Sequence, residues 1–119
     1  MYLESFKQLE VWKRAMELTK EIYATTSKFP KEEIYGLTSQ MRRAAVSIPS
    51  NIAEGYKRRN IGEYIQFLCI ADASAAELET QIILSKDLFL NNDFIKAESL
   101  LQEVQKMLFS MIKQLNAKR

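Results

Sequence analysis

Apolar residues recur every three or four positions along almost the whole chain, which is the spacing that places them on one face of an α-helix. Three short stretches interrupt this pattern: residues 27–30, residues 56–60 and the run Asn91–Asp93. The periodicity therefore predicts four helices, at about residues 8–26, 31–55, 61–90 and 93–116, of which the third is long. Because short connections join antiparallel neighbours, we expect one all-α domain, residues 1–119, folded as an antiparallel up-down-up-down four-helix bundle.

Local signals mark several of the helix ends. Pro30 disfavours helix in the residue before it and suits a helix start, so it predicts that the second helix begins near Lys31. Gly55 is the residue type that commonly ends a helix, and it predicts the end of the second helix. Asn60 followed three residues later by Glu63 is the pattern of a capping box, which predicts the start of the third helix.

Pro49 lies within the second predicted helix, where it removes one helical hydrogen bond and frees the carbonyl of Ala45. Two outcomes are open: a single helix that is kinked at Pro49, or two separate helices. The polar residues keep one register on both sides of Pro49, which favours the kinked helix. Ser47, Ser50 and Asn51 lie close enough to help satisfy the freed backbone groups.

The second and third predicted helices carry few charges for helices with one face on solvent. Arg42, Arg43 and Glu54 are the charged residues between positions 34 and 56, and Asp72 is the only one between positions 64 and 76. Helices this apolar on all sides predict burial against other copies of the chain, so we expect a homo-oligomer. Cys69, the single cysteine, lies in an apolar run and is expected to be a small buried hydrophobe.

A polar stripe is predicted along these two helices, because their polar residues also recur at steps of three and four. Arg43 lies on the stripe and is expected to form an ion pair with Glu77 or Glu79 that fixes the register of the two helices. Arg42 lies off the stripe and is a candidate contact to a neighbouring subunit or an outside ligand. The stripe comprises Gln40, Arg43, Ser47, Asn51, Glu54, Ser74 and Glu77.

The chain contains no histidine, which excludes Ser-His-Asp and Cys-His catalysis and histidine-ligated zinc. Carboxylates are the ligands that Mg²⁺ prefers, but Glu77 and Glu79 are two positions apart and point about 200° away from each other on a helix. We therefore expect no enzymatic activity, no metal and no cofactor. No apolar run reaches the ~18 residues of a membrane span, and the N-terminus lacks the apolar region of a signal peptide, so the expected location is the cytoplasm.

Three segments resemble a bacterial family of four-helix-bundle proteins known from intervening sequences in 23S ribosomal RNA genes: FKQLEVWKRAMEL, FPKEEIYGLTSQMRRAAVSIPSNIAEG and YIQFLCIADASAAELETQ. The accessory variability determinant of diversity-generating retroelements belongs to the same group. The resemblance extends from about Phe6 to Leu115, and SIPSNIAEG is its most distinctive run. It implies a bundle that assembles as a homopentameric ring and associates with nucleic acid. The resemblance to the retroelement relative also implies a reverse transcriptase as a candidate protein partner.

Positive charge is concentrated around the turn between the second and third predicted helices. Residues 41–62 carry five basic residues and one acid, and residues 104–119 carry four cations and no acid. A solvated turn in which Arg58 pairs with Glu54 explains part of this cluster without any ligand. Two functions therefore stay open: an oligomeric accessory protein that binds RNA or DNA, and a scaffold that presents a ring surface to a protein partner. The candidate nucleic-acid-binding residues are Arg42, Tyr56, Lys57, Arg58 and Arg59.

Overall fold

The computed structural model describes residues 5–119, which contain four α-helices and no strand. The helices are α1 (Glu10–Thr26), α2 (Leu37–Tyr56), α3 (Ile61–Leu88) and α4 (Ile95–Ala117). Single turns of 3-10 helix, Phe6–Gln8 and Lys31–Glu33, precede α1 and α2. The prediction of an all-α fold with four helices and a long third helix is confirmed, since α3 spans 28 residues.

The four helices pack side by side, each against the helix that follows it, and α4 packs back against α1. Contacts between α1 and α2 run in opposite order along the two helices, because Arg42 contacts Thr26 whereas the later Ala45 contacts the earlier Thr19. Contacts between α3 and α4 follow the same rule. The chain measures 45 × 22 × 21 Å, so it has two well-separated ends. One end holds the start of α1, the α2–α3 turn and the end of α4.

One core of buried side chains runs through the bundle, with contributions from every helix. Three phenylalanines close the core at the end where the α1–α2 and α3–α4 connections meet. The ring of Phe29 lies 4.8 Å from that of Phe89 and 6.1 Å from that of Phe94. The largest fully buried side chains are Leu18, Ile22, Met41, Ile48, Ile52, Leu68, Leu78, Ile82 and Leu108.

The second helix begins at Leu37, later than the predicted start near Lys31. Lys31–Glu33 form only one 3-10 turn, and non-helical backbone at Gly36 separates this turn from α2. The Glu33 carboxylate, 3.2 Å away, accepts a hydrogen bond from the backbone N–H of Leu37. Pro30 therefore starts a helical turn as expected, but the long helix begins four residues after the end of that turn, where the N–H of Leu37 donates to the Glu33 side chain.

Asn60 caps α3 as its spacing to Glu63 predicts. The Oδ1 atom of Asn60 accepts a hydrogen bond from the backbone N–H of Glu63 at 2.8 Å. The Nδ2 group of Asn60 donates to the Glu63 carboxylate at 2.7 Å, so both side chains hold the first turn. The first turn of α3 directly follows the basic residues 57–59. The cap therefore fixes the position of these residues relative to α3.

Replacing Asn60 with alanine should lower the free energy of unfolding by about 1 kcal/mol, because the N–H of Glu63 loses its side-chain acceptor. Urea unfolding followed by circular dichroism measures the change. Asn60→Ser keeps an oxygen that can accept from the N–H of Glu63 without adding a second carboxylate next to Glu63, and it should stay closer to the wild type. Equal losses in both variants would mean that the cap does not stabilise α3.

α2 continues through Pro49 as a single helix, so the alternative of two separate helices is wrong. The bend at Pro49 stays a prediction. The carbonyl of Ala45, which Pro49 leaves without its helical donor, lies 3.0 Å from the hydroxyl of Thr19 on α1. Asn51 instead donates to the carbonyl of Ser47 at 2.8 Å. The Thr19 hydroxyl also lies 2.8 Å from the Ala15 carbonyl of its own helix, so its one proton is shared between two carbonyls, and a neighbouring helix supplies part of the hydrogen bonding that was expected from α2 itself.

Gly55 lies inside α2, which ends one residue later at Tyr56, and no described glycine has a positive φ. Its role is close packing: a Cβ on Gly55 would lie 2.7 Å from the Cβ of Phe67 and 3.1 Å from the ring of Tyr64. The absence of a side chain at Gly55 therefore lets α2 approach α3 next to the turn that joins them.

Cys69 is exposed, so the prediction that it is buried is wrong for the single chain. Its neighbours Leu68 and Ala71 face the core, whereas Cys69 and Ile70 lie on the outer side of α3. Apolar residues surround α3 on all sides, and periodicity therefore does not indicate which side faces the core.

Candidate nucleic-acid interface

The α2–α3 turn presents three consecutive cations at one end of the bundle. Lys57 follows the last residue of α2, and Arg58 and Arg59 precede the Asn60 cap, with all three side chains exposed. The C-terminal end of α4 reaches the same end, where the guanidinium of Arg119 lies 3.2 Å from the position that a Cβ would take on Gly62. The fold thus brings Arg119, which is distant along the chain, close to the cations of the turn. We call Lys57, Arg58, Arg59 and Arg119 the basic end.

Arg58 is held against the surface by two contacts within the chain. Its guanidinium lies 3.9 Å from the Glu54 carboxylate and 4.6 Å from the centre of the Phe67 ring. The predicted pair with Glu54 is therefore present, but both side chains are exposed, and such pairs contribute little to stability. Lys57 and Arg59 form no ion pair with any residue in the described range 5–119. Their charges are open to an outside anion.

Tyr56 and Tyr64 lie beside the turn, with ring centroids 6.2 Å apart and ring planes at 87°. Both side chains are half-buried. Burial raises the pKa of the Tyr64 phenol above its usual value of 10.0, and the neighbouring Tyr56 phenol raises this pKa further. Each tyrosine thus has a partly exposed ring next to exposed cations. This is the arrangement expected of a side chain that stacks on a base.

Tyr64 should ionise above pH 10.0, because the folded state favours its neutral form. Its contribution to stability is therefore complete below pH 10.0 and is lost as the pH rises through the folded-state pKa. Phenolate absorbance of the wild type minus that of Tyr64→Phe isolates this group during an alkaline titration. A difference curve with its midpoint at or below pH 10.0 would contradict the prediction.

Arg42 lies far from the basic end. Fifteen helical positions separate it from Lys57, which corresponds to roughly 22 Å along the helix axis. Its guanidinium donates to the Thr26 hydroxyl at 2.9 Å and to the Tyr23 carbonyl at 3.3 Å, and it lies 4.5 Å from the centre of the Tyr23 ring. These contacts join α2 to the last turn of α1. The fold therefore does not bring Arg42 together with the other candidate residues.

The predicted polar stripe joins α2 to α3 through its central residues. The hydroxyls of Ser47 and Ser74 lie 2.8 Å apart, and the Asn51 side chain donates to Ser47 Oγ at 2.9 Å. The outer members of the stripe, Gln40, Arg43, Glu54 and Glu77, are exposed.

The expected ion pair of Arg43 is absent among residues 5–119. Glu77 is 3.4 Å from the amide of Gln81, and Glu79 accepts a hydrogen bond from Gln105 on α4. Glu79 therefore faces α4, away from α2, which leaves Arg43 without this partner.

Sequence reasoning did not predict the positions of Arg119 or Thr19. The signal for Arg119 was available, because an antiparallel bundle brings the end of the fourth helix to the start of the third. Thr19 had no such signal, since nothing along α1 marks the position that faces the freed carbonyl of Ala45.

Two other kinds of feature, a metal site and a membrane span, are absent from the described residues. Within positions 5–119, no three carboxylate or thiol side chains cluster closely enough to hold a metal ion. None of the helices in this part of the chain combines the length and the apolar character that a membrane span requires.

Comparison with known proteins identifies the family. Residues 7–110 match the family model of the 23S rRNA-intervening sequence protein. A crystal structure of a protein with unknown function from the S23 ribosomal protein family of Bacteroides thetaiotaomicron is similar, with a TM-score of 0.73 and 25% sequence identity. The alignment covers 87% of this chain and 98% of that chain. Curated proteins give no significant match. Because the family model matches most of the sequence, this chain belongs to the family of 23S rRNA-intervening sequence proteins.

Proposed function

We propose that this protein is a non-enzymatic homo-oligomer of the cytoplasm that binds RNA or DNA through the basic end of the bundle. The observation that carries this proposal is the grouping of Lys57, Arg58 and Arg59 with Arg119, which the chain separates by sixty positions. Exposed cations of this kind neutralise phosphates and release counterions, which drives sequence-independent binding.

Assembly increases the effect of a small site. A ring of identical subunits repeats the basic end once per subunit, and linked weak contacts add up to useful avidity. The homopentamer implied by the sequence resemblance is part of this proposal. Tyr56 and Tyr64 add the aromatic rings on which unpaired bases stack.

The test compares wild type with a triple variant, Lys57→Ala, Arg58→Ala and Arg59→Ala, in titrations of a labelled RNA hairpin and a labelled DNA duplex at several salt concentrations. The slope of log affinity against log salt on duplex DNA should fall by about 0.9 for each phosphate contact that the variant loses. Affinity for both probes should fall most at low salt.

A second triple variant, Lys20→Ala, Lys28→Ala and Lys96→Ala, is the matched control, because it removes the same charge from exposed positions away from the basic end. The proposal predicts that this control binds almost as well as the wild type. Equal affinities in the two triple variants would refute the basic end as the binding site.

A second candidate function is a scaffold that presents a ring surface to an enzyme such as a reverse transcriptase. It is favoured by large apolar side chains on the surface of α4, of which Ile95 is 76% exposed and Phe109 is 69% exposed. A closed oligomer that binds neither nucleic-acid probe at low salt would support this function instead.

A further inference from the structure

Two apolar surfaces of different shape lie on different sides of the bundle. The first is a groove between α1 and α2, formed by depressions of about 770 and 340 Å³ that share Val46. We call it the α1/α2 groove, and its apolar lining includes Trp12, Met16, Tyr23, Tyr35, Val46 and Pro49. The second is the outer side of α3, which we call the α3 face and define by Cys69, Ile70, Ala73, Ala76, Ile83 and Leu84, all of them exposed.

The two surfaces carry opposite charges. Lys31, Arg42 and Arg43 line the larger depression, and no described acidic residue lines either depression. On α3, by contrast, three exposed acids lie beside the α3 face, Asp72, Glu77 and Asp87, whereas Glu79 faces α4. The single cation between positions 64 and 88, Lys86, is already bound to Glu98 at 3.0 Å. A cationic groove and an acidic helix face are electrostatically complementary, whereas either surface would repel a copy of itself.

The charges along the α3 face are also distributed like the opposite charges along the α1/α2 groove. The half of the groove around Met16 and Pro49 has no charged lining residue, and its cations lie where α1 ends and α2 begins. The α3 face has a single charge, Asp72, in its first half, whereas Glu77 and Asp87 flank its second half. The second half of α3 and the cationic half of the groove lie towards the same end of the bundle, as the contact of Ser85 with Met41 shows.

We infer that the α3 face of one copy lies in the α1/α2 groove of the next, with the two bundles side by side and pointing in the same direction. This inference rests on the proposed oligomer and specifies which surfaces form it. The contact is heterologous, because two different surfaces meet, and such contacts repeat around a closed ring. Bundles that point the same way place every basic end on one rim of the ring.

The test uses two variants, each of which blocks one surface with a buried charge. Val46→Glu blocks the α1/α2 groove and Ala73→Glu blocks the α3 face. Both side chains are exposed in the single chain, so circular dichroism should show unchanged helix content. Light scattering on a sizing column should find each variant alone to be a monomer of 13.8 kDa. An equimolar mixture retains one intact pair of surfaces and should form a dimer of twice that mass.

Phe109→Glu is the control, because it places the same charge at an exposed apolar position on α4, outside both surfaces, and should assemble as the wild type does. A variant that still assembles on its own, or a mixture that stays monomeric, would overturn the pairing of groove and α3 face. Wild-type protein that is itself monomeric would overturn the proposed oligomer together with this pairing. Nucleic-acid binding is measured separately and can fail or succeed independently.

Discussion

Truncating Leu68 to alanine should lower the free energy of unfolding by about 2–5 kcal/mol. Leu68 has no exposed surface and belongs to the core that all four helices share. The truncation removes three buried carbon atoms and leaves a cavity that the surrounding helices fill only in part. The loss is large compared with the total stability of a single domain of this size, which is about 5–15 kcal/mol.

Urea unfolding followed by circular dichroism measures this loss, at one fixed protein concentration because assembly adds to apparent stability. Leu90→Ala is the matched control, since it makes the same chemical change at a side chain that is 85% exposed in the α3–α4 connection. The control should stay within about 0.5 kcal/mol of the wild type. If both variants unfold at the wild-type urea concentration, the placement of Leu68 in the core is wrong.

Replacing Gly55 with alanine should destabilise the protein by about 1–2 kcal/mol, although alanine is the better helix former. The added methyl group would lie 2.7 Å from the Cβ of Phe67 and 3.2 Å from the carbonyl oxygen of Tyr64, and both atoms belong to the rigid part of α3. The two helices must therefore move apart. The gain in helix propensity, about 1 kcal/mol, only partly offsets this overpacking.

Gly62→Ala provides the comparison, because its new methyl group would meet mainly the far end of the long Arg119 side chain, at 3.2 Å, which can rotate away. We expect this variant to be as stable as the wild type or slightly more stable. Thermal unfolding of both variants separates steric effects from helix propensity. A Gly55→Ala protein that is more stable than the wild type would show that α2 and α3 separate without penalty.

If the basic end binds nucleic acid, Gly55 and Asn60 contribute to binding by holding the cations of the turn in position. Gly55 lets α2 approach α3 directly before the cations, and Asn60 starts α3 directly after them. Residues 57–59 are therefore held in a short turn between two fixed helix ends. Variants of Gly55 and Asn60 should for this reason be tested for stability before any effect on binding is assigned to the cations.

Local features of the sequence were sufficient to predict the helices and one of their caps. The helical period of apolar residues predicts four helices because each amphipathic segment buries one stripe, whatever its neighbours are. The Asn60 and Glu63 pair predicts the start of α3 because a capping box forms between residues three apart. The start of α2 was predicted wrongly, since the Glu33 side chain and Gly36 separate the turn after Pro30 from the helix.

Tertiary structure alone decided the contacts between residues that are distant along the chain. The hydroxyl of Thr19 reaches the carbonyl that Pro49 frees, and Arg119 reaches the start of α3. Cys69 lies outside rather than inside, because α3 is apolar on all sides and the packing of the other three helices selects its buried side. Sequence periodicity thus determined which segments are helical, whereas the neighbours and the register of each face depend on how four helices fill one core together.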